Sequence, residues 1–145
     1  MVCQEIKDFL AAHADARYAA FVTSLMPGAR PVVGVRLPVL RALAKEITKG
    51  DWRTYLEEAV DDTFEEVMLQ GYVTGAARMP FEEQMERMTA YVRKINDWAL
   101  CDSPCSGFKF VRKHREEVWA FLQPYLYSGE VSVSYTHLTL PTNSL

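Results

Sequence analysis

The stretch VVGVRLPVLRALAKEI, residues 32–47, changes from loop to helix within a few residues. Pro38 suits the first turn of a helix, where a missing N–H costs nothing. Leu40, Leu43, Ala44 and Ile47 then recur at helical spacing, and this apolar stripe ends at Gly50. A loop from Pro27 and Gly28 up to Val35 precedes it. On the N-terminal side, Ile6, Phe9 and Leu10 mark one helix and Tyr18, Phe21, Val22 and Leu25 a second.

The same period continues toward the C-terminus. Trp52, Tyr55 and Leu56 define a short helix, and Phe64, Val67, Met68, Gly71, Tyr72 and Gly75 a longer one whose glycines allow close helix packing. Thr63 is its expected N-cap, with Glu66 three residues on in the capping-box pattern. Pro80 opens a helix that turns Phe81, Met85, Met88, Tyr91, Val92 and Ile95 inward, and Val111, Val118, Trp119, Leu122 and Leu126 trace a last one. About seven helices joined by short loops therefore fill the chain. By pattern alone they fit either a compact bundle or an α-solenoid, because no strong self-similarity at a fixed period is present.

A chain of 145 residues, about half of them apolar, suits one domain with its own core. No run of about 20 apolar residues is available to span a bilayer, and the N-terminus mixes acids and a base into its apolar residues, unlike a signal peptide. Cys3, Cys101 and Cys105 are odd in number and too sparse for a disulfide framework, which suits a reducing compartment, and the expected location is cytoplasmic. Cys101 and Cys105 are four apart, but no further Cys or His lies at a metal-ligand spacing, so no metal is expected.

The formal net charge is −3, which by itself speaks against a polyanionic partner. Its distribution changes that reading. Arg30, Arg36, Arg41, Lys45, Lys49 and Arg53 form one basic segment, and Arg93, Lys94, Lys109, Arg112, Lys113 and Arg115 form another. Between them lies an acidic block that includes Glu57, Glu58, Asp61, Asp62, Glu65, Glu66, Glu82, Glu83 and Glu86. Such segregation allows a basic face beside an acidic back, although alternating solvated helix faces produce the same runs.

The segment VSYTHLTLPT, residues 133–142, has no charged residue and reads as a threonine-rich, β-prone run after more than a hundred residues of helical pattern. It resembles the translation of a transposon-type sequencing adapter. The expectation is a helical domain over residues 1–130 and a non-native, unstructured tail over 131–145, with the natural protein continuing beyond about Glu130.

Three stretches carry a resemblance to a known family. VVGVRLPVLRALAKEI resembles the N-terminal signature of the AlkD-like DNA alkylation repair family, INDWALCDSPC at 95–105 its central Asn-Trp-x-x-x-Asp element, and FVRKHREEVWAFLQPYL at 110–126 the helix that follows. The resemblance runs over about residues 14 to 130. It implies an all-α fold, an α-α superhelix of HEAT-like helical repeats with a concave basic surface. It also implies a DNA glycosylase that hydrolyses the N-glycosidic bond of N3- or N7-alkylated purines in duplex DNA, without base flipping and without a cofactor; the expected partner is duplex DNA containing alkylated bases, and the expected state a monomer.

On that resemblance, Asp102 is the carboxylate that stabilises the oxocarbenium-like sugar and orients a water on it. Trp98 lies one helical turn earlier on the same face and packs against the lesion-bearing nucleotide or its sugar. Arg36 and Arg41 match residues that face the DNA backbone, and Arg112 and Lys113 are further phosphate-contact candidates. Family members complete the site with an Arg and a second aromatic in a later repeat, where the adapter-like tail begins here, so this chain alone is expected to be inactive. The run SPCSGFKF is also richer in Gly and Ser than the helical continuation of the family.

Without the resemblance, Asp102 with Ser103 and Pro104 reads as a helix cap, and Trp98, Trp52, Trp119 and Tyr18 as core aromatics. His13 and His114 share no partner spacing and read as solvated or structural, and Met68, Met79, Met85 and Met88 as packing residues. The rival function is a non-catalytic α-solenoid that binds DNA or protein through its concave face; a third reading is a helical scaffold with no DNA role.

Overall fold

The computed structural model describes residues 3–26, 30–95, 104 and 114–122. Among them are seven helices and no strand: α1 Cys3–Ala12, α2 Ala16–Leu25, α3 Leu37–Thr48, α4 Trp52–Glu58, α5 Phe64–Ala76, α6 Phe81–Val92 and α7 Arg115–Leu122. The all-α expectation holds. No helix among these residues is long and apolar enough to cross a membrane. The chain divides into two compact units, residues 1–73 and 74–145.

In the first unit, α3 begins with Pro38 in its first turn, and Leu40, Leu43, Ala44 and Ile47 are all buried, as their spacing predicts. Leu40 is fully buried, which stabilises the fold by roughly 1.5 to 3 kcal/mol relative to an exposed side chain. Asp51 starts α4 by accepting the Thr54 N–H at 3.2 Å and the Thr54 hydroxyl at 2.6 Å. Trp52 and Tyr55 then turn inward, and burial pushes the Tyr55 phenol well above its ordinary pKa, with the charges of Cys3, Glu66 and Asp61 adding to the effect.

Helix α5 is buried on every side from Phe64 to Thr74, so the polar residues it carries must find partners inside the protein. Glu65 and Gln70 do so by holding loops. Glu65 accepts backbone N–H groups from residues 33–35, and Gln70 donates to the Val60 carbonyl at 3.1 Å and to Asp61 at 2.8 Å. Glu66 accepts the Thr63 hydroxyl at 2.9 Å while its own N–H is donated to Thr63 Oγ1 at 3.3 Å. Thr63 is thus the cap its spacing predicts, with the glutamate on the hydroxyl side. Lys7 bridges Asp62 at 2.9 Å and Glu66 at 3.5 Å, which ties α1 to the start of α5.

Burial removes two residues from the acidic back that the charge pattern allowed. Glu65 and Glu66 are 0 % and 5 % exposed, so neither belongs to a solvated acidic face. Helical spacing also misplaces two residues of α2, because Phe21 and Leu25 are 59 % and 50 % exposed while Val22 and Met26 make the buried edge. A ten-residue helix that buries so narrow a strip leaves the rest of its apolar stripe outside.

In the second unit, Met88, Tyr91, Val92 and Ile95 are buried as expected, whereas Met85 is only half-buried. Pro80 is the N-cap of α6. The Phe81 ring stacks on His114 with centroids 3.9 Å apart, giving that histidine the structural role anticipated for it. His13 has the same kind of role at the end of α1, stacked on Phe9 at 4.2 Å. Val118 turns inward from α7, but Trp119 is 42 % exposed, against the expectation that it is core.

Candidate nucleic-acid interface

The loop before α3 is held from two directions. Gly34 adopts a φ of +97°, a left-handed conformation that glycine enters without penalty. A Cβ there would come within 2.2 Å of the Asp15 carbonyl oxygen and 3.0 Å of Ala19 Cβ, so α2 approaches the loop as closely as a bare backbone permits. Asp15 N–H donates to the Gly34 carbonyl at 3.0 Å, and Phe64 N–H donates to the Pro31 carbonyl at 2.9 Å. The Glu65 carboxylate takes the N–H groups of Val33, Gly34 and Val35 at 2.9, 2.9 and 3.3 Å. Consecutive N–H groups converging in this way form an anion-binding concavity, here filled by a side chain of the protein itself.

Arg36 leaves this fixed loop as the N-cap residue of α3, whose first turn has no side-chain cap. Its guanidinium lies 4.5 Å from the centroid of the Tyr18 ring and 3.4 Å from Asp15 Oδ2, while the side chain stays 62 % exposed. The ring contact is worth roughly 0.5 to 1 kcal/mol at such an exposed position. Asp15 caps α2 through the N–H groups of Arg17 and Tyr18, at 2.9 and 3.1 Å. The Tyr18 N–H is the main cause that holds the Asp15 carboxyl below its ordinary value; the Arg17 N–H and Arg36 add to it, against a smaller opposing effect of burial. Tyr18 is therefore not simply core: it is half-buried, with its face under Arg36.

Arg41 sits farther along α3, exposed, with its guanidinium 5.5 Å from the Tyr72 ring centroid, and Lys45 follows one turn later, also exposed. Arg36, Arg41 and Lys45 thus present cationic groups from a helix whose other side is core. Exposed cationic groups of this kind are the usual means of gripping a phosphate backbone.

The chain matches the model of the DNA alkylation repair enzyme family over residues 6–124. It belongs to that family. No curated protein and no solved structure matched the chain. The matched span includes all six site residues chosen from the sequence: Arg36, Arg41, Trp98, Asp102, Arg112 and Lys113. Of these, Arg36 is the N-cap of α3 and Arg41 lies within that helix, whereas Trp98, Asp102, Arg112 and Lys113 lie outside the described residues. For a DNA alkylation repair protein the unforeseen residues are Asp15, Tyr18 and Glu65, which hold Arg36 and its loop in place. A signal for Glu65 is present in FEEVMLQGYV, residues 64–73, where an acid inside a helix apolar on all sides must be buried with donors.

Proposed function

We propose that this member of the DNA alkylation repair enzyme family is a glycosylase for N3- and N7-alkylated purines in duplex DNA. The observation that carries the reading is the exposed, pre-oriented cationic start of α3, with Arg36 held by Asp15 and Tyr18, in a chain that matches the family from residue 6 to residue 124. Arg36 and Arg41, joined by Arg112 and Lys113, contact phosphates and so position the duplex without reading its sequence.

The chemistry is assigned to the stretch INDWALCDSPC. An alkylated purine is cationic and leaves readily, so cleavage of its N-glycosidic bond places positive charge on the sugar. Asp102 stabilises that charge and orients a water that adds to C1′, releasing the free base and leaving an abasic site. Trp98 packs against the same nucleotide, and the lesion stays in or near the duplex rather than being extruded into a pocket. In this reading the protein works as a cytoplasmic monomer, and residues 1–130 belong to an α-α superhelix of HEAT-like repeats.

The test is release of 7-methylguanine or 3-methyladenine from methylated duplex DNA by the full-length protein. Release by the parent and its loss in Asp102→Asn support the assignment. Equal release by both removes Asp102 from the mechanism, and salt-dependent duplex affinity with no base release at all makes the protein a non-catalytic DNA binder.

A further inference from the structure

Glu65 is a fully buried carboxylate with no cation among the partners that its hydrogen bonds define. Its neighbours are three consecutive backbone N–H groups, on residues 30 to 32 positions away in the chain. A buried acid is costly to retain, and three charge-assisted hydrogen bonds offset that cost only if the loop keeps one conformation. The next residue after the third N–H is Arg36, so the conformation Glu65 selects also sets where the guanidinium leaves the backbone.

We infer that Glu65 is a positioning residue for DNA binding: by holding the amides of Val33, Gly34 and Val35 it fixes the loop from which Arg36 reaches a phosphate of the duplex. This rests on the reading of Arg36 as a phosphate contact. The Glu65 carboxylate never touches the nucleic acid. The loop is pinned from the opposite side by the Asp15 N–H on Gly34 and by the van der Waals limit at Ala19, so loss of Glu65 frees one wall and leaves the other. The consequence falls on Arg36, whose contacts with Tyr18 and Asp15 require the loop in this place.

Glu65→Gln tests this with little change of volume. One of the two acceptor oxygens becomes an NH2 donor facing a backbone N–H, so at least one of the three hydrogen bonds is lost. Duplex affinity is measured across a salt series for the whole chain and for Glu65→Gln, Arg36→Ala and the double variant, alongside amide hydrogen exchange at Val33, Gly34 and Val35. With Arg36 present, Glu65→Gln should weaken binding about fivefold or more, and in the Arg36→Ala background by less than about twofold, since the two act on one contact. Each single variant should flatten the salt slope by up to about 1. The three amides should exchange faster in Glu65→Gln.

Equal loss from Glu65→Gln in both backgrounds, or unchanged exchange at the three amides, overturns the positioning role while the phosphate contact of Arg36 stands. If Arg36→Ala itself leaves affinity and slope untouched, the phosphate contact falls and the inference falls with it. Where Glu65→Gln does not fold, Glu65→Asp, which keeps both acceptor oxygens on a stem one methylene shorter, goes through the same cycle: a loss that depends on Arg36 supports the positioning role, and an equal loss in both backgrounds overturns it.

Discussion

At Gly34 two constraints coincide: a φ of +97° and a neighbouring carbonyl oxygen 2.2 Å from where a Cβ would stand. Left-handed backbone costs an L-residue roughly 1 to 2 kcal/mol, and here a rigid backbone contact adds to it. Gly34→Ala should therefore lower stability by more than about 2 kcal/mol, read from denaturant unfolding. Asp15, on the other side of that contact, carries a pH dependence. Its folded-state value lies below the ordinary 3.8, so its contribution is fully present above about pH 4 and is lost as the pH falls through the lowered value. Asp15→Asn, which keeps an acceptor for the cap but not the charge, should be less stable than the parent at neutral pH. The gap should close on acidification below about pH 4; a gap that persists there would show that the cap geometry, not the charge, matters.

Among the helices, α5 has the most to satisfy, because it is buried on all sides and begins with two acids. Its first turn depends on Thr63, whose hydroxyl both accepts the Glu66 N–H and donates to the Glu66 carboxylate. Thr63→Ala should cost about 1 kcal/mol in denaturant unfolding, the usual loss on removing such a cap, and Thr63→Ser should restore most of it. Helical positions were legible in the sequence because periodicity, prolines and caps act over a few residues: Pro38, Leu40, Leu43, Ala44 and Ile47 all take the places that their spacing implies. Exposure was less legible. Phe21, Leu25 and Trp119 sit in helices as expected yet face outward, since a helical stripe tells which residues share a face but not how wide a partner covers it.

Over the whole molecule, a net charge of −3 conceals a basic edge on α3 and two glutamates withdrawn into the interior. The family match ends at residue 124, before the uncharged segment at 133–142. If the domain is residues 1–130, as we propose, a stop codon after Glu130 should leave the thermal unfolding midpoint unchanged; a lowered midpoint would place part of the fold in the last fifteen residues.

The helical class, the helix starts at Pro38 and Thr63, and membership of a DNA repair family were all present in the linear sequence. These rest on local periodicity and on short, ordered patterns. The tertiary structure alone decided that the Glu65 side chain lies in the interior and is held by three amides, that Asp15 and Tyr18 hold Arg36, and that Gly34 admits no side chain. Each of those facts depends on groups distant in the chain, 30 residues or more between Glu65 and its donors. Whether a charge is solvated or buried is set by what packs over it, and no spacing rule within one helix contains that information.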